Sequence, residues 1–234
     1  MSRSGCREGT KRQSQNHAVI ILASGLSQRL GQPKQMLFKD GEPLIACMTR
    51  LALGNNPQAI VVVIPDNHHS IASVITELAV QYPTVQIVVN PKPETGMADS
   101  LRLGIETIAA FESISIDRVL IMGVDQVLLD EPHLTALLAG KQTVVASHYH
   151  HWQPLEKHQS LHKGASDIIG LPLAINYKLL RQWQSALIGD KGLRNLIRGL
   201  PADQVGRVGN DQLSYDIDTP EQLAYAKQQG WLDD

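Results

Sequence analysis

The residues best suited to chemistry lie near the start of the sequence, at Leu22–Lys34, which reads LASGLSQRLGQPK. Gly25 and Gly31 let the backbone come close to a ligand and turn N–H groups toward it, as in cradles for anionic phosphates. Arg29 adds a bidentate cation and Lys34 a point charge, the complement that a polyphosphate needs. The spacing is neither GxGxxG nor GxxxxGKS/T, so it is neither a dinucleotide fingerprint nor a Walker loop. Taken alone, the run also suits an ordinary strand-to-helix turn with solvated cations. Acidic groups follow at two points: Asp125, just past the apolar run VLIMGV, and Asp216 and Asp218 within YDIDTPE.

These side chains need a framework. His17–Ala23 is a continuous apolar run ending in the Gly-rich turn, the pattern of a strand buried on both faces. Further strands are expected at Ala59–Ile64, Val85–Val89, Arg118–Met122 and Gln142–Ala146. Helical spacing appears over Pro43–Leu53, Ser70–Val80, Met97–Ala110 and Pro132–Leu138. This alternation predicts an α/β fold with a mostly parallel sheet and right-handed crossovers. Ser147–Ile169 breaks the rhythm. It is polar, carries His148, His150, His151, His158 and His162, and reads as a solvated loop without zinc-site spacing. An apolar segment (IIGLPLAI), helices over Tyr177–Ser185 and Lys191–Arg198 and a weak strand at Gln204–Val208 follow. A last helix is expected to open at Thr219-Pro220-Glu221 and to end near Gln229.

Composition narrows the function. Hydrophobic residues make up 43% of the 234, aromatics 4%, and the net charge is -2. Residues 1–16 are polar and basic and are expected to form a disordered tail, with 17–234 a single domain. The near-neutral balance argues against nucleic acid or an anionic membrane as partner. No apolar run approaches the roughly 20 residues of a membrane helix, and Cys6 and Cys47 make no disulfide framework. A cytoplasmic protein is expected.

The loop LASGLSQRLGQPK resembles the signature of the MobA-like NTP transferases, the nucleotidyltransferases related to the molybdenum-cofactor enzymes. It matches at Leu22, Ala23, Gly25, Ser27, Arg29, Leu30, Gly31 and Lys34. It departs at Ser24, where cytidylyltransferases tend to carry Ala and guanylyltransferases Gly. LFKDGEPLI is similar to the family's next segment at Leu37, Gly41, Pro43 and Leu44. NPKPETGMADSLRLG matches at Asn90, Gly96, Met97, Ser100, Leu101 and Gly104, just after the third strand, at the sheet edge where open α/β folds bind ligands. Asp125-Gln126-Val127 resembles the family's D-Q-P turn without its Pro, and YDIDTPE its D-x-D-T-P-E-D-L ending with Gln222 for the second acid. Gly189–Arg194 (GDKGLR) and Gly170-Leu171-Pro172 echo two further elements.

The resemblance implies a three-layer α/β/α, Rossmann-like nucleotidyltransferase fold of the GT-A-like kind. It implies Arg29, Lys34 and Asp125 as catalytic residues, with Leu22, Ala23, Ser24, Gly25, Ser27, Asn90, Gly96 and Ser100 also binding the nucleotide. Mg²⁺ would lie on Asp125 and Asp218, Asp218 being favoured over Asp216 because it adjoins the helix start. Gly170, Pro172, Asp190 and Arg194 would face the acceptor. The branch most similar is the molybdenum cofactor cytidylyltransferases: CTP and a molybdopterin-type phosphate acceptor, the product destined for a molybdenum hydroxylase client. Alternatives are GTP as donor, a sugar or alditol phosphate as acceptor, or a non-catalytic cofactor-binding maturation chaperone.

Overall fold

The computed structural model describes residues 16–66, 68–111, 113–150, 168–189 and 192–234. Its strands are β1 (His17–Leu22), β2 (Phe38–Lys39), β3 (Glu42–Pro43), β4 (Ala59–Pro65), β5 (Val85–Asn90), β6 (Arg118–Met122), β7 (Val144–Tyr149), β8 (Ile168–Asn176) and β9 (Val205–Gly209). Its helices are α1 (Leu44–Leu53), α2 (His69–Gln81), α3 (Met97–Ala109), α4 (Glu131–Ala139), α5 (Tyr177–Trp183), α6 (Arg194–Arg198) and α7 (Pro220–Gln228). The strands form a seven-stranded sheet ordered β5-β4-β1-β6-β8-β7-β9, and β2 and β3 a separate hairpin. β1 pairs in parallel with β4 and β6, β4 with β5, and β7 with β9. β8 runs against both β6 and β7, so the sheet is mostly parallel with one reversed strand.

Period-two alternation sorts the apolar runs onto the two faces of this sheet. Val19 and Ile21 of β1 join a core with Ile45 and Met48 of α1, Ile71 and Ile75 of α2, and Leu134 of α4. Ala18 and Ile20 face the other way, onto Leu101 and Ile105 of α3, Leu180 of α5 and Ile197 of α6. Helices thus cover both faces, giving the three layers. A third cluster joins Leu30, Leu37, Val127, Tyr215, Ile217 and Leu223, so α7 and the segment before it are packed beneath the first loop. Among the described residues no helix is long and apolar enough to cross a membrane.

The strand expected at Gln142–Ala146 is shifted. It begins at Val144 and continues to Tyr149, so Ser147 and His148 belong to the sheet and not to a solvated loop. The polar residue is tolerated because its bonds are made internally. Ser147 Oγ donates to Pro172 O (2.7 Å) and lies 2.8 Å from His133 Nε2, a buried imidazole that completes the chain. α6 opens at Arg194, three residues later than its spacing suggests. His151, His158 and His162, Asp190 and residues 1–15 of the tail expected over 1–16 lie outside the described residues. Asn16 is bound to β6: its N–H donates to Asp117 Oδ2 (3.2 Å) and its carbonyl accepts from the Asp117 and Arg118 N–H groups.

Gly104 shows how closely α3 sits on the sheet, since a Cβ there would stand 2.8 Å from Ile20 Cγ2. Alanine gains about 1 kcal/mol over glycine inside a helix, but forcing a methyl into a filled core costs about 1–3 kcal/mol. Ile20 is fully buried, and its Cγ2, Cδ1 and Cγ1 would all lie within 3.3 Å of the added methyl. Gly104→Ala is therefore expected to lower stability by about 1 kcal/mol, read as a lower urea midpoint with an unchanged m-value. A raised midpoint would contradict this packing.

Candidate active site

The site is built on the loop after β1. Ala23 N–H continues the sheet by donating to Val63 O (2.9 Å), and the chain then leaves it. Ser27 adopts a left-handed conformation (φ 51°), unusual for a residue with a Cβ. Its bonds account for this: its carbonyl accepts from Leu30 and Gly31 N–H (3.1 Å each), and its hydroxyl from Lys34 N–H (3.1 Å). Gly31, at φ 77°, completes the reversal. Among the described residues no protein acceptor takes the N–H groups of Ser24, Gly25, Leu26, Ser27 or Gln28. Gly25 to Arg29 line a cleft of about 800 Å³. A Cβ at Gly25 would meet nothing within 4 Å, so that position opens onto the cleft.

Opposite the loop stand the acids. Asp125 follows β6, and a side chain at Gly123 would come within 2.9 Å of its Oδ1, so glycine leaves room for the carboxylate. Asp218 precedes α7, where a capping box fixes the backbone: Thr219 Oγ1 accepts from Gln222 N–H, and Gln222 Oε1 accepts from Asp218 N–H (2.9 Å) and Thr219 N–H (3.0 Å). Gln222, which replaces an acid of the family's pattern, thus orients the Asp218 segment. Lys34 Nζ bridges the two acids, 3.2 Å from Asp125 Oδ2 and in direct contact with Asp218 Oδ1. Arg29 Nη2 reaches Asp218 Oδ2 at 2.5 Å. Burial opposes the charge on Lys34, but Asp125 and Asp218 more than offset it and raise its proton affinity. Burial would likewise push the Asp218 carboxyl up, yet Lys34 and Arg29 bring it below the usual range. Asp216 goes the other way. Burial first, and then Asp125 beside it, push its carboxyl up to about 7.

Gln126 stands where the pattern Asp125-Gln126-Val127 lacks its Pro. Its buried amide donates to Leu171 O (2.8 Å) and Leu213 O (3.2 Å), tying the Asp125 turn to β8 and to the segment leading to Asp216 and Asp218. Val127 enters the third core cluster, and its carbonyl accepts from Lys39 Nζ (2.6 Å).

The remaining expected residues divide. Leu22, Gly25, Ser27, Arg29, Lys34, Asp125 and Asp218 all line the cleft. Ala23, Ser24, Asn90 and Ser100 are buried behind its wall. There Ser100 Oγ lies 2.5 Å from Ser24 Oγ and accepts from Asn90 Nδ2 (3.0 Å), which links the first loop to α3. Gly96, at φ 98°, caps α3. Gly170 and Pro172 lie in β8, where Gly170 packs under Tyr149: a Cβ there would stand 2.5 Å from the phenol oxygen. Burial, with Asp216 and Asp125 next in order, pushes that phenol up to about 12, and exposed Arg194 opposes them. Sequence reasoning passed over Gln35, Gly123, Tyr149 and the cleft-lining Pro93 and Glu94. Gln35 adjoins Lys34 and Gly123 precedes Asp125 by two, so proximity to the signature residues was the signal available.

The donor set fits a hard divalent cation. The carboxylates of Asp125 and Asp218 converge on Lys34 opposite a loop of N–H groups without protein acceptors among the described residues, hard oxygen donors of the kind such a cation takes. Among the described residues no three acids, histidines or cysteines stand close enough to hold a metal alone. Two carboxylates completed by phosphate oxygens is the mode Mg²⁺ commonly takes.

Comparison with known proteins gives the family and the fold. A family model described as the MobA-like NTP transferase domain matches residues 19–206. A search of curated protein sequences finds no match. Solved structures that superpose on the chain include Rv0371c of Mycobacterium tuberculosis H37Rv, 18% identical, covering 92% of this chain and 99% of that one at a TM-score of 0.66. A nucleotidyl transferase from Methanothermobacter is 16% identical over 92% and 97% of the two chains (TM-score 0.67). The 4-diphosphocytidyl-2C-methyl-D-erythritol synthase of Anaerococcus prevotii is 15% identical over 92% and 96% (TM-score 0.65). At such identities the likeness is one of fold.

The opposed shifts of Asp216 and Asp218 make stability depend on pH with opposite signs. A carboxyl raised from 3.8 to about 7 favours the folded state when protonated, so its contribution is full below about pH 4 and lost as pH rises through about 7. Asp218, held low, contributes above its ordinary range and loses that contribution as pH falls through its folded value. Asp216→Asn is therefore expected to match the parent's melting temperature near about pH 4 and exceed it near about pH 8. Identical profiles for the two proteins would overturn the Asp216 assignment.

Proposed function

The chain belongs to the MobA-like NTP transferase family, and from that premise we propose that it transfers a nucleoside monophosphate, by preference CMP from CTP, to the phosphate of a molybdopterin-type acceptor. The observation that carries the reading is the convergence of Arg29 and Lys34 with Asp125 and Asp218 at the mouth of the loop, beside N–H groups without protein acceptors. An oxygen of the acceptor phosphate attacks the α-phosphorus, the bond to the α–β bridging oxygen breaks, and pyrophosphate leaves. Arg29, Lys34 and the loop N–H groups stabilise the charge that collects on the β- and γ-phosphates. No side chain acts as a nucleophile, since positioning and charge stabilisation supply most of such a rate. Asp125 and Asp218 would hold Mg²⁺, which when bound would supply Lewis-acid screening of the phosphate oxygens.

The preference for CTP rests on the likeness of the first loop, of GMADSL and of GDKGLR taken together to the cytidylyltransferase branch, while the Ser24 hydroxyl is engaged with Ser100 (2.5 Å) behind the cleft wall. Gly170, Pro172, Asp190 and Arg194 remain the proposed acceptor side. A molybdenum hydroxylase is the proposed client, and a cytoplasmic location is proposed with it.

Pyrophosphate release measured with each NTP, with and without molybdopterin cofactor and Mg²⁺, tests this. Release is expected to be fastest with CTP and to need both the acceptor and the metal. No release with any pair would overturn the transferase reading for these acceptors, and faster turnover with GTP would reverse the base assignment. Asp125→Ala is expected to cost about a hundredfold or more in kcat, while unchanged turnover would remove Asp125 from the machinery.

A further inference from the structure

We infer that Gln35 is a positioning residue for nucleotide binding: its side-chain amide, rather than its bulk, holds the first loop with N–H groups turned toward the triphosphate. The inference rests on the nucleotidyl-transfer reading above. Gln35 is 1% exposed and follows Lys34 in the short helical turn Lys34–Met36. Its Nε2 donates to Ala23 O (2.6 Å) and Gly25 O (2.9 Å), two carbonyls of the loop on the far side of the turn. A peptide unit is planar and trans, so its C=O and the N–H of the following residue point in opposite directions. Drawing the Ala23 and Gly25 carbonyls inward therefore sends the Ser24 and Leu26 N–H groups away from Gln35. Those two N–H groups are among the ones without a protein acceptor among the described residues.

The unused half of the amide separates this role from simple packing. Gln35 Oε1 is buried and finds no donor among the described residues. A buried, unpaired acceptor is a cost to folding, because it gives up water and gains nothing. An apolar side chain of similar length would fill the same space without that cost. What it would lack is the pair of donated hydrogen bonds, and these act on the loop that lines the cleft. Lys34 shares the effect. Its backbone N–H is bound to Ser27 Oγ and its side chain reaches the acids, so one turn sets both the cation and the amide that shapes its anion cradle.

Gln35→Met keeps the bulk and donates nothing, Gln35→Glu accepts without donating, and Gln35→Asn keeps a donor one methylene short. Binding of CTP with Mg²⁺ is measured by calorimetry, the KM values for nucleotide and acceptor by pyrophosphate release, and the melting temperature on the same samples. Expected are a tenfold or greater weakening of CTP binding for Met and Glu, a smaller loss for Asn, a raised nucleotide KM with acceptor KM unchanged, and a Met variant that melts close to the parent. CTP binding by Gln35→Met equal to the parent's would overturn the inference, as would affinity losses that merely follow falls in melting temperature across the three variants. Failure of the parent itself to bind any NTP with Mg²⁺ is a separate result, which overturns the transferase reading and this inference with it.

Discussion

The side chain of Lys34 is 13% exposed, and its ammonium lies against two carboxylates that are distant in sequence, Asp125 and Asp218. A lysine so far removed from water is tolerable only with its charge answered. Each answer comes from a different part of the fold, one from the end of β6 and one from the start of α7. The sheet order that sets β1 beside β6 therefore brings the first loop to Asp125. The third core cluster, with Leu30 and Leu37 from the loop side and Tyr215, Ile217 and Leu223 from the α7 side, brings it to Asp218.

Around this ion network the neutral groups act as struts. Gln35 binds two carbonyls of the first loop, Gln126 ties the Asp125 turn to β8 and Leu213, and Gln222 holds the backbone of Asp218 and Thr219. Each is an amide that can satisfy backbone groups without adding charge to a site already crowded with it. An acid at Gln222, as the family's ending has it, would bring a further negative group next to Asp218. The amide performs the capping without that addition.

What could be read from the sequence followed from the range of the interactions involved. β1, β4 and β6 are uninterrupted apolar runs because they are buried on both faces, and such runs are visible without any knowledge of neighbours. β7 was cut short at Ala146 because Ser147 and His148 look like loop residues until His133 and Pro172 O are known to lie beside Ser147. Arg29, Lys34, Asp125 and Asp218 stood out through the signature they resemble. Gln35 did not, since an amide next to a signature lysine has no local mark, and its partners are backbone oxygens placed by a turn. Asp216 and Asp218 were separable only in part. Their different fates depend on which of them Lys34 and Arg29 reach, and that is set by the packing of α7.

The network also constrains what kind of ligand can enter. Lys34 and Arg29 are paired with Asp218 and Asp125, so an anion that took the cations alone would leave two partly buried carboxylates unanswered. A divalent cation arriving alone would equally strand the ammonium of Lys34. A ligand that carries both signs, a polyphosphate with its own cation, can replace partners on both sides of the network at once and leave no buried charge unpaired. On the proposed function, the same acids and bases that stabilise one another in the protein would favour a metal–nucleotide complex over either of its parts, before any contact with the base or the acceptor is made.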